Sequence, residues 1–166
     1  RINKAYASLS AVQIDSAQVQ ADRAAMLFPS SPFVHNIYAQ LASKRGDEPT
    51  MLAKLRLAID AAKLDTSMAE TQRQMEFQLA TTLQEWANLG GSAQKAELNK
   101  EALALFTELL RADPSGSEAA YAFSAASEII SVAQDTSAAV ELMAPMVADA
   151  TPYNDLTLLL AADLSR

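Results

Sequence analysis

Apolar residues recur at every third or fourth position along most of the chain, which is the spacing of one face of an α-helix. Ser31-Pro32 is typical of a helix start, because an N-cap residue precedes a proline whose φ is preset. The pattern predicts a helix from there to Lys44-Arg45-Gly46. Asp47 is predicted to cap the next helix, with Glu48 and Pro49 in its first turn. The predicted buried stripes are Val34, Ile37, Tyr38, Leu41 and Ala42, and then Leu52, Leu55, Ala58, Ile59 and Ala62. Because the connection is short, we expect an antiparallel pair.

A second helix pair is predicted in residues 67–112. One helix should run over 67–89 and stop at Gly90-Gly91, and after a polar connection another should run over 97–112 and end at Asp113-Pro114. The predicted buried residues are Met75, Leu79, Leu83 and Trp86, and then Leu98, Ala102, Leu103, Phe106 and Leu110.

A third pair is predicted to follow, with Ser115 or Ser117 as its first cap and Asp135 at the start of its second helix. Pro145 should kink or shorten that second helix, because proline cannot donate a backbone N–H. Ala120, Phe123, Ala126, Ile130 and Val132-Ala133 supply the apolar positions. Thr151-Pro152 then predicts a terminal helix over 152–165 with an apolar face of Leu156, Leu159, Leu160 and Leu164. The pattern also predicts helix over residues 3–27, either continuous or broken near Asp15-Ser16.

The helix pairs recur at a regular interval. From Pro29 to Thr66 and from Pro114 to Thr151 the interval is 37 residues, and from Thr66 to Pro114 it is 48. Paired helices with periods of 20 to 50 residues are typical of solenoids. We therefore predict an all-α fold, a right-handed superhelical array of about four antiparallel hairpins plus a terminal helix. It forms a single domain over residues 1–166, with units over about 1–29, 32–66, 67–114 and 115–150 and the terminal helix over 152–165.

The stretch 100–114 resembles the second helix of the tetratricopeptide repeat, through Ala102, Leu103, Phe106, Leu109, Leu110, Asp113 and Pro114. Trp86, Leu89 and Gly90 also match the Trp-x-x-Leu-Gly of its first helix. That register would place Gly90-Gly91 inside a helix at about 1 kcal/mol per glycine. We prefer the register in which Ala80 is the small residue of the first helix and Gly90 ends it. Ala39 and Ser124 then take the small position in the units before and after.

The resemblance covers residues 16–166, although Lys54 and Thr66 stand where the family has other residues. Other helical-hairpin repeats, or an irregular helical bundle, would show the same pattern. In the family, the first helix of each pair lines a concave groove that holds a partner segment. At the matching positions, the resemblance implies a partner-binding groove of Phe33, Asn36, Gln40 and Lys44, then Phe77, Thr81 and Gln84, then Tyr121, Ala125 and Glu128. Some members of the family hold an acidic chain terminus of a partner with a set of basic side chains. Only Lys44 of that set is present here, so we do not expect this mode of recognition.

The charge of the chain restricts the class of partner. The formal net charge is −7, and no cluster of Lys or Arg interrupts the acidic sequence, so we expect no nucleic acid partner. Charged or polar residues punctuate every apolar window, so we expect a soluble fragment with no direct membrane insertion. Because the sequence contains no cysteine, it favours neither a reducing nor an oxidising compartment, and both cytoplasm and periplasm are retained as locations. Because the chain begins at Arg1 without methionine and stops inside a helical pattern, we expect a trimmed or processed piece of a longer protein.

Residues that could support catalysis are sparse. His35 is the only histidine and lacks an acid at the spacing of a helical metal site, so we expect an exposed helix residue and no metal. No nucleophile elbow, P-loop or dinucleotide turn is present. Carboxylates such as those of Asp47 and Glu48 are explained as partners of a helix dipole. We therefore predict no enzymatic activity and no cofactor.

The leading functional hypothesis is a bacterial-type scaffold or adaptor that holds a segment of a protein or peptide partner in the groove. The bacterial assignment follows only from the richness in alanine. An alternative is a soluble helical-repeat appendage of a larger bacterial membrane enzyme or of a machine for secretion or surface-polysaccharide assembly. A third is self-association through the leucine-rich face of the uncapped terminal helix.

Overall fold

The computed structural model describes residues 11–89 and 92–148, and all regular secondary structure in these ranges is helical. The α-helices are α1 (Ala11–Leu27), α2 (Pro32–Lys44), α3 (Glu48–Lys63), α4 (Ala69–Leu89), α5 (Ser92–Ala112), α6 (Ala119–Ala133) and α7 (Thr136–Ala148). A 3-10 helix, Thr66–Met68, precedes α4. The predicted all-α class is confirmed.

The described residues divide into two compact units, with the boundary between Met75 and Glu76 inside α4. We call residues up to Met75 unit 1 and residues from Glu76 onward unit 2, and each is described by itself.

Unit 1 contains the predicted pair α2 and α3, and its sharp connection depends on two residues. Gly46 has φ +71°, in the left-handed region that glycine adopts without a steric penalty. Asp47 follows, and its side chain accepts a hydrogen bond from the backbone N–H of Thr50 at 3.2 Å. The predicted cap is therefore confirmed. Ser31 precedes α2 as predicted, but its side chain makes no capping bond.

Side-chain bonds hold α1 against α2 in the antiparallel direction. Tyr38, in the middle of α2, donates to the Asp22 carboxylate at 2.7 Å. Arg45, just after α2, donates to Gln18 at 2.9 Å and lies 3.7 Å from Asp15, near the start of α1. Since α1 is continuous through Asp15-Ser16, no break occurs there.

The core of unit 1 lies among α1, α2 and α3 and is made largely of small and branched aliphatic residues. Its buried members are Ala21, Val34, Ala39, Leu41, Ala42, Met51, Leu55, Ala58, Ile59 and Ala62. Three residues predicted to be buried, Ile37, Tyr38 and Leu52, are only partly buried. Met51 was missed, although it lies one turn before Leu55 on the same helical face.

Unit 2 consists of the rest of α4 with α5, α6 and α7. Asn99, near the start of α5, and Ala133, at the end of α6, line the same cleft, so these two helices run antiparallel. Asp135 lies at the start of α7 as predicted, and its carboxylate caps the helix by accepting from the N–H of Ala138 at 3.0 Å. The largest fully buried side chains of this unit are Leu83, Phe106, Leu110, Phe123, Ile130 and Leu142.

Several predicted boundaries in unit 2 are wrong. The helix α5 begins at Ser92 and not at 97, because residues 92–96 contain neither glycine nor proline and continue the helix. Neither Ser115 nor Ser117 caps α6; Glu118 precedes it and makes no side-chain capping bond. Pro145 does not shorten α7, which extends to Ala148. Gly90-Gly91 and the predicted terminal helix from Thr151-Pro152 lie outside the described residues.

The predicted burial of α6 is also partly wrong. Ala120, Val132 and Ala133 are exposed, and Val132 retains 68% of its surface. Ala119, Ala122, Ala125 and Ile129 are buried instead, next to the correctly predicted Phe123, Ala126 and Ile130.

In α4, Trp86 is only partly buried, whereas Met75, Leu79 and Leu83 are buried as predicted.

Candidate partner-binding face

The predicted groove residues of unit 2 lie on two helices that touch each other, α4 and α6. The rings of Phe77 on α4 and Tyr121 on α6 pack in a T-shaped arrangement, with centroids 5.4 Å apart and planes at 77°. Two turns further along both helices, Gln84 donates from Nε2 to the Glu128 carboxylate at 3.2 Å. We call the surface formed by these four residues, with Thr81 and Ala125, the α4–α6 face.

The two contacts fix the relative direction of α4 and α6. Gln84 and Glu128 are 44 residues apart, as are Phe77 and Tyr121. Because the contacts follow the same order along both helices, α4 and α6 run parallel and in constant register, with α5 between them in sequence. The predicted positions of α4 therefore meet the equivalent predicted positions of α6.

Tyr121 is the most prominent side chain of this face. The residue keeps 48% of its surface exposed, although its ring contacts that of Phe77 and lies with its centroid 6.4 Å from that of the buried Phe106. Edge-to-face and tilted arrangements are favourable aromatic geometries. The neighbouring rings therefore hold Tyr121 in place while leaving part of it open to solvent.

The other predicted positions differ in how much they present to solvent. Gln84 retains only 7% of its surface, and Ala125 is also buried. Thr81 is partly buried, and its hydroxyl lies 3.0 Å from the carbonyl oxygen of Phe77 in its own helix. Glu128 is exposed. The groups of this face that a partner can reach most readily are thus the Tyr121 ring and the Glu128 carboxylate.

The four predicted groove residues on α2 belong to unit 1. Phe33, with 51% of its surface exposed, and Lys44 project into solvent, whereas Asn36 and Gln40 are partly buried. The Asn36 Oδ1 atom is buried and has no hydrogen-bond partner among the described residues. These four residues share one side of α2, as the helical period requires.

The small positions implied by the repeat register are occupied as expected in two helices and differently in the third. Ala39 and Ala80 are fully buried. Ser124 is exposed, so the expectation that it admits a neighbouring helix is wrong. Ala122 and Ala126, two residues to either side, are fully buried instead.

A polar cluster in unit 1 was not predicted from the sequence. The Lys54 ammonium lies 5.2 Å from the centroid of the Tyr38 ring, within cation–π range, while the Tyr38 hydroxyl donates to Asp22. That hydrogen bond, followed by the one from Gln18, lowers the pKa of Asp22, and the same bond raises the pKa of Tyr38. These residues come from three helices, and no local pattern in the sequence joins them.

His35 lies near this cluster and differs from the expectation. It is partly buried and not exposed, and its Nδ1 atom has no hydrogen-bond partner among the described residues. Burial, and then the nearby charge of Lys54, lower the pKa of His35. A neutral imidazole is therefore favoured at this position.

A metal site and a membrane-spanning helix would each point to a different class of function. In the part of the chain that the structure describes, no group of three or more His, Cys, Asp or Glu side chains is arranged to share a metal ion. None of the helices described combines the length and the apolar character needed to cross a bilayer.

The fold therefore places the chain in the class of all-helical proteins built from consecutive packed helices. Comparison with protein-family models, with curated protein sequences and with solved structures gave no match.

Proposed function

We propose that this protein is a non-enzymatic interaction scaffold of the tetratricopeptide-like helical-repeat type, which holds a segment of a protein partner along the α4–α6 face. No cofactor and no turnover are part of this function. The observation that carries the proposal is the parallel pairing of α4 and α6, which joins Phe77 to Tyr121 and Gln84 to Glu128 along one surface.

The stacking of hairpins is supported by contacts between alternate helices. In a row of helix pairs, each first helix should lie beside the next first helix, and each second helix beside the next second helix. The contacts of α4 with α6 follow this rule in constant register. On the other side of unit 2, Arg111 of α5 bonds to Glu141 of α7 at 2.5 Å. Both sets of contacts favour a repeating step over a bundle around one axis.

The binding role is supported by the side chains that this pairing leaves open. Tyr121 combines a rigid, partly exposed ring with a hydroxyl, and tyrosine is enriched among residues that dominate binding energies at interfaces. Glu128 lies two turns along the same helix, which is about 10 Å at a rise of 1.5 Å per residue. An extended peptide or a helix can contact both positions.

Affinity capture with the full chain from cells of its source tests the proposal. The wild type is compared with Tyr121→Ala and with Phe28→Ala, and the captured proteins are quantified by mass spectrometry. Phe28 is a matched control, because it is an aromatic residue with 63% of its surface exposed that lies in unit 1, outside the predicted groove.

We expect a partner that the wild type and Phe28→Ala capture equally and that Tyr121→Ala captures several-fold less. Thermal unfolding of all three proteins verifies that the loss is not caused by misfolding. Equal recovery of every captured protein by the wild type and by a folded Tyr121→Ala variant would contradict the proposal.

A further inference from the structure

We propose that the α4–α6 face selects a cationic partner, a segment in which two Lys or Arg side chains are spaced to reach Tyr121 and Glu128 together. This inference rests on the proposed function and adds the chemical class of the partner. It depends on the division of charge in the chain, on the open Tyr121 ring, and on the distance between the two groups.

Charge is divided unequally between the two parts of the sequence. Residues 1–75 contain nine Lys and Arg residues and seven Asp and Glu residues. Residues 76–166 contain four Lys and Arg residues and thirteen Asp and Glu residues. The formal net charge of the chain, −7, therefore comes entirely from the second part. A positively charged partner is attracted to this part over a distance of about 10 Å at ordinary salt concentrations.

The α4–α6 face lacks cations of its own. Residues 76–89 and 112–140, which include all of α6, contain no Lys, Arg or His. The four cationic residues of the second part are Lys95, Lys100, Arg111 and Arg166. Arg111 is held by Glu108 at 2.7 Å and by Glu141, on α5 and α7. No cation on α4 or α6 in this part of the chain can therefore neutralise Glu128 or cover the Tyr121 ring.

The Tyr121 ring is prepared to receive a cation. The ring is held by Phe77 and Phe106, and the residue as a whole keeps almost half of its surface exposed. In unit 1, Tyr38 carries such a cation, because Lys54 lies 5.2 Å from its ring centroid. Among the described residues no cation lies over Tyr121. A Lys or Arg side chain supplied by a partner would find there the same interaction that Tyr38 makes within the chain.

Glu128 supplies a second contact at a defined distance. Gln84 donates one hydrogen bond to Oε2, and the side chain is otherwise exposed, so the carboxylate keeps acceptor capacity for an incoming ammonium or guanidinium group. The two groups lie about 10 Å apart along α6. A partner would match this distance with cations about three residues apart in an extended segment or seven apart in a helix.

Selection of a random displayed peptide library against the full chain at low salt tests the inference. We expect the selected peptides to be enriched in Lys and Arg, with pairs at the spacings given above. Binding of a synthetic copy of the most enriched peptide should fall about fivefold or more in Tyr121→Ala and in Glu128→Gln. Glu97→Gln is the matched control, because it removes the same charge from an exposed position on α5, and it should change the affinity less than twofold.

The outcomes separate this inference from the proposed function. Neutral or acidic peptides that still require Tyr121 would overturn the cationic preference and leave the scaffold function in place. Basic peptides that bind all variants equally and are released by salt alone would show general attraction to an acidic surface and would also overturn the inference. A selection that yields no peptide dependent on Tyr121 would contradict the proposed function as well.

Discussion

Replacement of Phe106 by alanine should severely destabilise unit 2. Phe106 has no exposed surface, and its ring packs near that of Tyr121 in the interior between α5 and α6. Truncation of a buried phenylalanine to alanine costs about 3 to 5 kcal/mol, because the lost transfer free energy is added to that of an unfilled cavity. Alanine favours a helix over phenylalanine by only a few tenths of a kcal/mol, so propensity cannot offset the loss.

Urea unfolding of the full chain, followed by far-UV circular dichroism, measures this loss. With a slope of about 2 kcal/mol per molar urea, the unfolding midpoint of the transition that includes Phe106 should fall by about 2 M. Phe28→Ala, which removes the same atoms from an exposed position, should change the free energy of unfolding by less than about 0.5 kcal/mol. If Phe106→Ala costs less than about 1 kcal/mol at an unchanged slope, the close packing of α5 against α6 is refuted.

Three further predictions concern unit 1. Asp47→Ala should lower the free energy of unfolding by about 1 kcal/mol because a capping bond is lost, whereas Ser31→Ala should change it by only a few tenths because no such bond exists. Gly46→Ala should cost about 1 kcal/mol from its positive φ alone, since a methyl group there meets no atom within 4 Å. Tyr38→Phe should raise the pKa of Asp22 toward its ordinary value, as followed by carboxyl NMR during acid titration.

The sign of the pH effect follows from the direction of the shift. Because the pKa of Asp22 is lowered in the folded protein, its bond with Tyr38 stabilises the fold above the pKa of the unfolded chain, and the contribution is lost as pH falls through the folded pKa. The raised pKa of Tyr38 has the opposite dependence. Its contribution to the stability of the fold is present below the pKa of Tyr38 in the unfolded chain and is lost as pH rises through its pKa in the folded protein.

Each of these three predictions has a result that contradicts it. Equal losses for Asp47→Ala and Ser31→Ala in urea unfolding would mean that the Asp47 bond is not a stabilising cap. An unchanged or higher unfolding midpoint for Gly46→Ala would exclude a left-handed conformation at that residue. An Asp22 pKa that does not move in Tyr38→Phe would assign the shift to Gln18 and Arg45 instead.

The local signals of the sequence predicted the pair α2 and α3 well. Ser31-Pro32, Gly46 and Asp47 act through their own backbone or the next turn, so their effect can be inferred without knowledge of the rest of the fold. In unit 2 the boundary signals were less reliable, because neither Ser115 nor Ser117 caps α6 and Pro145 does not end α7. The predicted start of α5 at 97 treats residues 92–96, which include Ser92, Gln94 and Lys95, as a polar connection, although polar residues alone do not end a helix.

Which side chains are buried was harder to predict than which residues form helices. In α6 nearly every residue is small or apolar, so several faces of the helix could have been the inner one. The neighbouring helices decide that Ala119, Ala122 and Ile129 are buried and that Val132 is exposed. The repeat register assigns Phe77 and Gln84 of α4 and Tyr121 and Glu128 of α6 to equivalent positions, and the structure brings these residues into contact in pairs. The register could not show that Gln84 is buried and that Tyr121 is open.

The sequence by itself determined that the chain is helical and where α2 and α3 begin and end, because helical periodicity, capping and a glycine at a turn act over a few residues. Only the tertiary structure decided which side chains meet across helices, such as Tyr38 with Asp22 and Lys54, and which side of α6 faces inward. Those contacts join residues far apart in sequence, and their free energy depends on how whole helix faces fit together.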